Sequence, residues 1–159
     1  MNLEVEGFGQ MIAVGAGIIT CVGAFFLFRF CIRRLGTDRR KSRIDEMEGH
    51  EFEYFCARIL EETGFIDVEV TRGSGDYGVD ILAEKEGVTY AIQCKRYTGP
   101  VGVEAVLQVY AGKDYYDRLV GVVMTNQYFT TPAVEAAKKL KILLWDRGYL
   151  DSMMEEAAE

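Results

Sequence analysis

Three side chains in one short stretch could do chemistry together: Asp80, Gln93 and Lys95, within SGDYGVDILAEKEGVTYAIQCK. Between them, Lys85-Glu86-Gly87-Val88 has the form of a hairpin with a two-residue loop at Glu86-Gly87. With 85 opposite 88, Asp80 falls across from Gln93, their Cβ atoms roughly 5 Å apart on one face. Lys95 lies two residues further on, so it shares that face and sits diagonal to Asp80. The same register pairs Ile81 with Ile92 and Ala83 with Tyr90 on the other face, which is apolar and reads as core. A carboxylate, an amide and an ammonium thus converge beside a packed hairpin. Hard oxygen donors of this kind suit Mg²⁺ or Mn²⁺. A neighbouring ammonium would lower the pKa of an attacking water or steady a phosphate in the transition state. Phosphodiester hydrolysis fits all three groups. An ordinary cross-strand ion pair between Asp80 and Lys95 on a solvated face also fits, and spacing alone does not choose.

The elements that must position these groups follow from periodicity. Phe52, Phe55, Cys56, Ile59 and Leu60 recur at helical spacing up to Thr63-Gly64, predicting a helix over 47–63. Alternating or β-branched runs predict strands at 67–71, 79–83 and 88–94. Val103, Val106, Leu107 and Tyr110 mark a second helix, 119–124 a fourth strand, 131–140 a third helix and 142–145 a fifth strand. Thr130 or Thr131 caps the third helix, with Pro132 in its first turn. The order αβββαβαβ implies an α/β fold with a mixed sheet flanked by helices.

Composition limits the chemistry. The chain has 159 residues, 49% apolar and 27% charged, which suits one modest globular domain with an appendage. His50 is its only histidine, which speaks against a histidine-rich metal cage or a histidine-based triad. Its four cysteines show no zinc-ligand spacing, and Cys56 and Cys94 read as buried free thiols. Charge is uneven. Residues 1–44 hold seven of the 18 Lys/Arg and three of the 25 Asp/Glu, leaving 11 basic and 22 acidic residues, a formal charge of −11, in residues 45–159. Such acidity opposes phosphate-backbone binding, although bound metal ions or a local basic strip would offset it.

The N-terminal segment has a separate task. Residues 11–28 run eighteen positions without a charge, enough to span a bilayer as a helix. The acidic flank before it is unlike a cleaved signal peptide. Arg29, Arg33, Arg34, Arg39, Arg40, Lys41 and Arg43 follow it, which orients a single pass with the N-terminus outside and the domain cytoplasmic, at the inner membrane. The expected divisions are an extracytoplasmic stretch 1–10, a transmembrane helix 11–32, a basic juxtamembrane linker 33–46, a folded domain 47–150 and an acidic tail 151–159.

GHEFEYFCARILEETGF, SGDYGVDI, IQCKRYTGPVGVEAV and VVMTNQYFTTPAVEAAKKL, taken in order, resemble the Mrr-type restriction endonuclease domain of the PD-(D/E)XK nuclease superfamily over about residues 47–150. In that family a Gln stands where other members have the acidic residue of the last motif, as in Gln93-Cys94-Lys95. The resemblance implies a restriction-endonuclease-like fold. It also implies a Mg²⁺- or Mn²⁺-dependent DNA endonuclease in which Asp80 is the principal metal ligand, Gln93 a secondary one and Lys95 the catalytic lysine. Glu53 matches the family's helical acidic residue and would supply the carboxylate that Gln93 lacks, with Glu51 as its competitor. Asp76 is either a further acidic group at the metal or a turn residue. Thr125 and Asn126 are weak candidates for contact with DNA phosphate. A homodimer is expected because two active sites are the simplest way to cut both strands, and target choice would fall to a separate DNA-recognition partner. Two other readings stay open: a catalytically silent module that binds nucleic acid or protein, and a junction-resolving or RNA-cleaving nuclease of the same superfamily.

Overall fold

The computed structural model of the chain describes residues 24, 25, 27–29, 43–71 and 77–158. Residues 24, 25 and 27–29 are helical and belong to a compact unit over residues 1–39, separate from a second unit over residues 40–159. Most of the expected membrane span at 11–32 lies outside the described residues. Among those described, no helix is long and apolar enough to cross a membrane.

The second unit follows the expected order with one helix added: α1 (Gly49–Glu62), β1 (Ile66–Val70), β2 (Ile81–Lys85), β3 (Val88–Lys95), α2 (Val103–Tyr115), β4 (Val120–Thr125), α3 (Thr131–Leu140), β5 (Leu143–Trp145) and α4 (Arg147–Glu156). The five strands form one sheet in chain order. β1, β2 and β3 pair antiparallel, while β3, β4 and β5 pair parallel. The change follows from the connections, since a two-residue turn reverses the chain and a helical crossover restores its direction. Glu86 and Gly87 both have positive φ, 54° and 77°, the conformation a tight hairpin turn needs. The pairs Ile81↔Ile92, Ala83↔Tyr90 and Lys85↔Val88 keep the register read from the sequence. Thr130 caps α3 by accepting from the Ala133 N–H.

Helices cover both faces of the sheet. On one side Phe52, Ile59 and Leu60 of α1 and Leu150 and Met154 of α4 pack with Ile81, Ile92 and Met124. On the other, Val106 and Val109 of α2 and Ala133 and Ala137 of α3 pack with Val123. The second layer bears on the alternative left open by the sequence: the face of the hairpin opposite Ile81 and Ile92 is not open to water. Leu82, Ala91 and Val79 are buried there, and Gln93 is 2% exposed. α2 comes so close because of a glycine. A Cβ on Gly112 would stand 2.5 Å from Val79 Cγ2 and 2.6 Å from the Tyr77 carbonyl oxygen, so the segment leading into Asp80 rests directly on the helix backbone.

The boundaries of the folded unit also move outward. Ile44 is fully buried in the first core, which places the end of the expected linker inside the fold. The expected acidic tail is instead most of α4, whose Leu150, Met153 and Met154 are buried. These recur at i, i+3 and i+4 behind an Asp146 cap that accepts from the Tyr149 N–H at 3.0 Å, a helical signature beneath the acidic composition.

Candidate active site

Asp80 lies just before β2, and its backbone is turned. Its N–H donates to the Ile92 carbonyl on β3 at 2.9 Å, while its own carbonyl accepts from the Thr71 N–H beside β1, also at 2.9 Å. A residue in a regular strand sends both groups to the same neighbour, so the ladder is kinked at Asp80 in the manner of a bulge. The strict facing of Asp80 and Gln93 read from the sequence therefore stops one residue short, at Ile81↔Ile92. The kink re-aims the carboxylate: Oδ2 accepts from the Cys94 N–H at 2.6 Å. Asp80 is thus tied to the backbone between Gln93 and Lys95.

Gln93 and Lys95 are brought together directly. Gln93 is buried beneath α2, its amide 2.9 Å from that of Gln108. The protein around it dictates its orientation. With its oxygen toward Lys95 it accepts from Nζ at 3.0 Å, and its nitrogen donates to the Ala105 carbonyl at 2.8 Å. The reverse orientation would let Gln93 Nε2 donate to Gln108 Oε1 at 2.9 Å, but it would set that nitrogen against Lys95 Nζ and the Gln93 oxygen against the Ala105 carbonyl. Gly78, at φ 75°, keeps this roof close, since a Cβ there would meet Gln108 Cβ at 2.8 Å. An ion pair on a solvated sheet face does not describe this arrangement.

Glu53 projects from α1 with its side chain 18% exposed and accepts from His50 Nδ1 at 2.8 Å. Its competitor Glu51 is exposed and lines an open surface pocket with Arg43 and Arg58. The thiol of Cys94 senses both Glu53 and Asp80. Its pKa is held well above the usual thiol range first by a hydrogen bond with Cys56, then by burial, and further by the negative fields of Cys56, Asp80 and Glu53. Both cysteines are buried and free, and Cys94 is kept as a neutral thiol rather than a nucleophile. Asp76 lies outside the described residues.

Thr125 and Asn126 take a different task from the one expected. They are 0% and 2% exposed. The Thr125 hydroxyl donates to the Lys95 carbonyl at 2.6 Å. Asn126 Nδ2 donates to Asp45 Oδ1 at 2.8 Å and to the Tyr97 carbonyl at 2.9 Å, and its oxygen accepts from the Tyr97 N–H at 2.9 Å. These groups brace the chain on either side of Lys95 and are spent internally, so they are not offered to phosphate.

Sequence reasoning missed the partner that completes this brace, Asp45. Arg147 Nη1 bonds the same Asp45 oxygen at 2.9 Å, and Arg96 Nη2 donates to the Asp45 carbonyl at 2.6 Å. Burial alone would raise the Asp45 pKa, but the hydrogen bonds from Asn126 and Arg147 and the charges of Arg147 and Arg96 outweigh it and hold the carboxyl below its usual value. A depressed folded-state pKa adds stability above the unfolded value, and that stability is lost as pH falls through the folded value. Asp45→Asn is therefore expected to be less stable than wild type at pH 7 by under about 1 kcal/mol, because the side chain is half exposed. Urea melts repeated in steps below pH 4 should show the gap closing.

The family model of the Mrr catalytic domain, described as a restriction endonuclease, matches residues 44–154. Three solved structures share the fold. A crystal structure of a protein of unknown function, AF1548, is 27% identical with a TM-score of 0.52, covering 61% of this chain and 57% of that one. The DNA modification-dependent restriction endonuclease AspBHI is 17% identical with a TM-score of 0.58, covering 77% and 36%. MspJI restriction endonuclease, in complex with a 27-mer oligonucleotide, is 20% identical with a TM-score of 0.59, covering 78% and 31%. The chain thus spans little more than half of the first and about a third of the other two. No curated protein matches it significantly.

Proposed function

Because the chain belongs to the restriction endonuclease family of the Mrr catalytic domain, we propose that it is a divalent-metal-dependent DNA endonuclease of restriction or defence type, working through Asp80, Lys95, Gln93 and Glu53. The observation that carries this reading is the buried contact between Gln93 and Lys95, with Asp80 bonded to the backbone between them. An ammonium held by a neutral amide keeps its full charge for an incoming phosphate, whereas a carboxylate in place of Gln93 would cancel it.

The donor set fits a hard cation. Asp80 and Glu53 both act on Cys94 from nearby, and Mg²⁺ is usually held by one or two carboxylates, with water and substrate phosphate completing its shell. When bound, Mg²⁺ or Mn²⁺ would activate water and neutralise charge on the phosphate. The chain's own residues do the rest. Lys95 Nζ faces the charge that develops on the phosphoryl oxygens, Gln93 holds Lys95 in place, and the bond from the Cys94 N–H keeps the Asp80 carboxylate aimed. Among the described residues no three acidic, histidine or cysteine groups form a ready metal cluster; Asp76, the further candidate ligand, lies outside them. Cleavage of supercoiled plasmid is expected with Mg²⁺ or Mn²⁺, to stop with chelator, and to return when the metal is restored in excess. Cleavage that persists in chelator would overturn the metal-dependent reading.

The uncharged run at 11–28 and the seven basic residues after it support a cytoplasmic domain held at a membrane by one N-terminal helix. Retention in the membrane fraction through a high-salt wash tests this anchor, and release into the wash would remove it.

A further inference from the structure

Gln93 is buried, so both ends of its amide must be satisfied within the protein. Its neighbours leave one way to do this. The Ala105 carbonyl, 2.8 Å away, can only accept, and Lys95 Nζ, 3.0 Å away, can only donate, so the nitrogen faces Ala105 and the oxygen faces Lys95. The side-chain oxygen of Gln108 lies 2.9 Å from that same position, where it would accept from Gln93 Nε2 in the opposite orientation; with the Gln93 oxygen facing Lys95, the Gln108 amide must turn as well and present its NH₂. Both lone pairs of the Gln93 oxygen are then taken, one by Lys95 and one by Gln108. The stem of Gln108 is seated as well, since Gly78 leaves no room beside its Cβ.

We propose that Gln108, on α2, is a positioning residue: by donating to Gln93 it fixes the orientation of the buried amide, and through it the place of the Lys95 ammonium. The catalytic consequence rests on the nuclease reading of Lys95, while the positional claim does not. It also changes the expected part of Gln93. With both lone pairs engaged, Gln93 steadies the lysine, and acting as a metal ligand would require it to give up one of these bonds. Gln108 is itself exposed on α2, so replacing it opens no core.

The test uses the full chain in detergent with Gln108→Met, which keeps the length and removes the donor, and Gln108→Glu, which replaces the donor with an acceptor. Solvent exchange of the Gln93 side-chain NH₂ protons, followed by NMR with labelled glutamine, is expected to rise roughly tenfold in both, because an amide no longer held at its oxygen by Gln108 turns its NH₂ away from the Ala105 carbonyl more often. Under saturating Mg²⁺, kcat on duplex DNA is expected to fall about tenfold with KM within about twofold, as for a loss felt in the transition state. Unchanged Gln93 exchange in both variants overturns the proposal. Faster exchange with kcat unchanged overturns its catalytic half. Faster exchange in a chain whose wild type cuts no DNA supports the positional claim and removes the nuclease reading instead.

Discussion

Replacing Lys95 with methionine is expected to lower the rate of DNA cleavage by roughly 10² to 10³-fold, the usual cost of deleting one preorganised donor from a site where charge develops. Methionine keeps the length and apolar stem of lysine, and Lys95 lies at the end of β3, half-buried, so the fold should survive. The variant also leaves the Gln93 oxygen with Gln108 as its partner, which limits the damage to one lost bond. Binding of duplex DNA without metal should weaken far less than cleavage, because one of many phosphate contacts contributes modestly. Single-turnover rates beside a binding titration would separate the two. Equal losses in binding and cleavage would make Lys95 a docking residue.

Asp80 is expected to show two effects that different substitutions pull apart. Asp80→Ala removes the acceptor for the Cys94 N–H and leaves a buried donor unsatisfied, at a cost of about 1–3 kcal/mol. Asp80→Asn keeps an oxygen in reach of that N–H and removes the charge. The alanine variant should therefore melt earlier and fail to cleave, whereas the asparagine variant should retain most of the stability and still lose cleavage by about 10²-fold or more. Thermal melts with plasmid assays decide this. An Asp80→Asn variant that cuts DNA normally would leave Asp80 with a structural part alone.

The hairpin was legible because its signals are local. Glu86-Gly87 dictates a tight turn, and the turn dictates the pairing down to Ile81↔Ile92. The kink at Asp80 was not, because it arises from competition between β1 and β3 for the backbone of one residue, and nothing in Val79-Asp80-Ile81 announces it. The roof over Gln93 was equally hidden. It depends on Gly78 and Gly112, which become close-approach points only once the segment before β2 and α2 are packed together. α4 was readable, since Leu150, Met153 and Met154 keep helical spacing, but acidic neighbours made the segment look like a tail. Thr125 ends β4 and Asn126 follows it, a place from which phosphate-contacting residues could act. Their internal bonds run to Lys95, Asp45 and Tyr97, and the bond to Asp45 spans a sequence separation of 81 residues that no local pattern encodes. Acidity remains informative: with a charge of −11 over residues 45–159, few cations are left for phosphate, and Arg147 and Arg96 are already committed to Asp45.

The central claim is that Asp80 and Lys95 form the working core of a nuclease, and cleavage of supercoiled plasmid by the full chain with Mg²⁺, beside Asp80→Asn and Lys95→Met, tests it most directly. The expected result is conversion of supercoiled DNA to nicked or linear product by wild type, with both variants slower by about 10²-fold or more while retaining most of their thermal stability. Wild type as inert as both variants on methylated and unmethylated DNA, or variants as active as wild type, would contradict it.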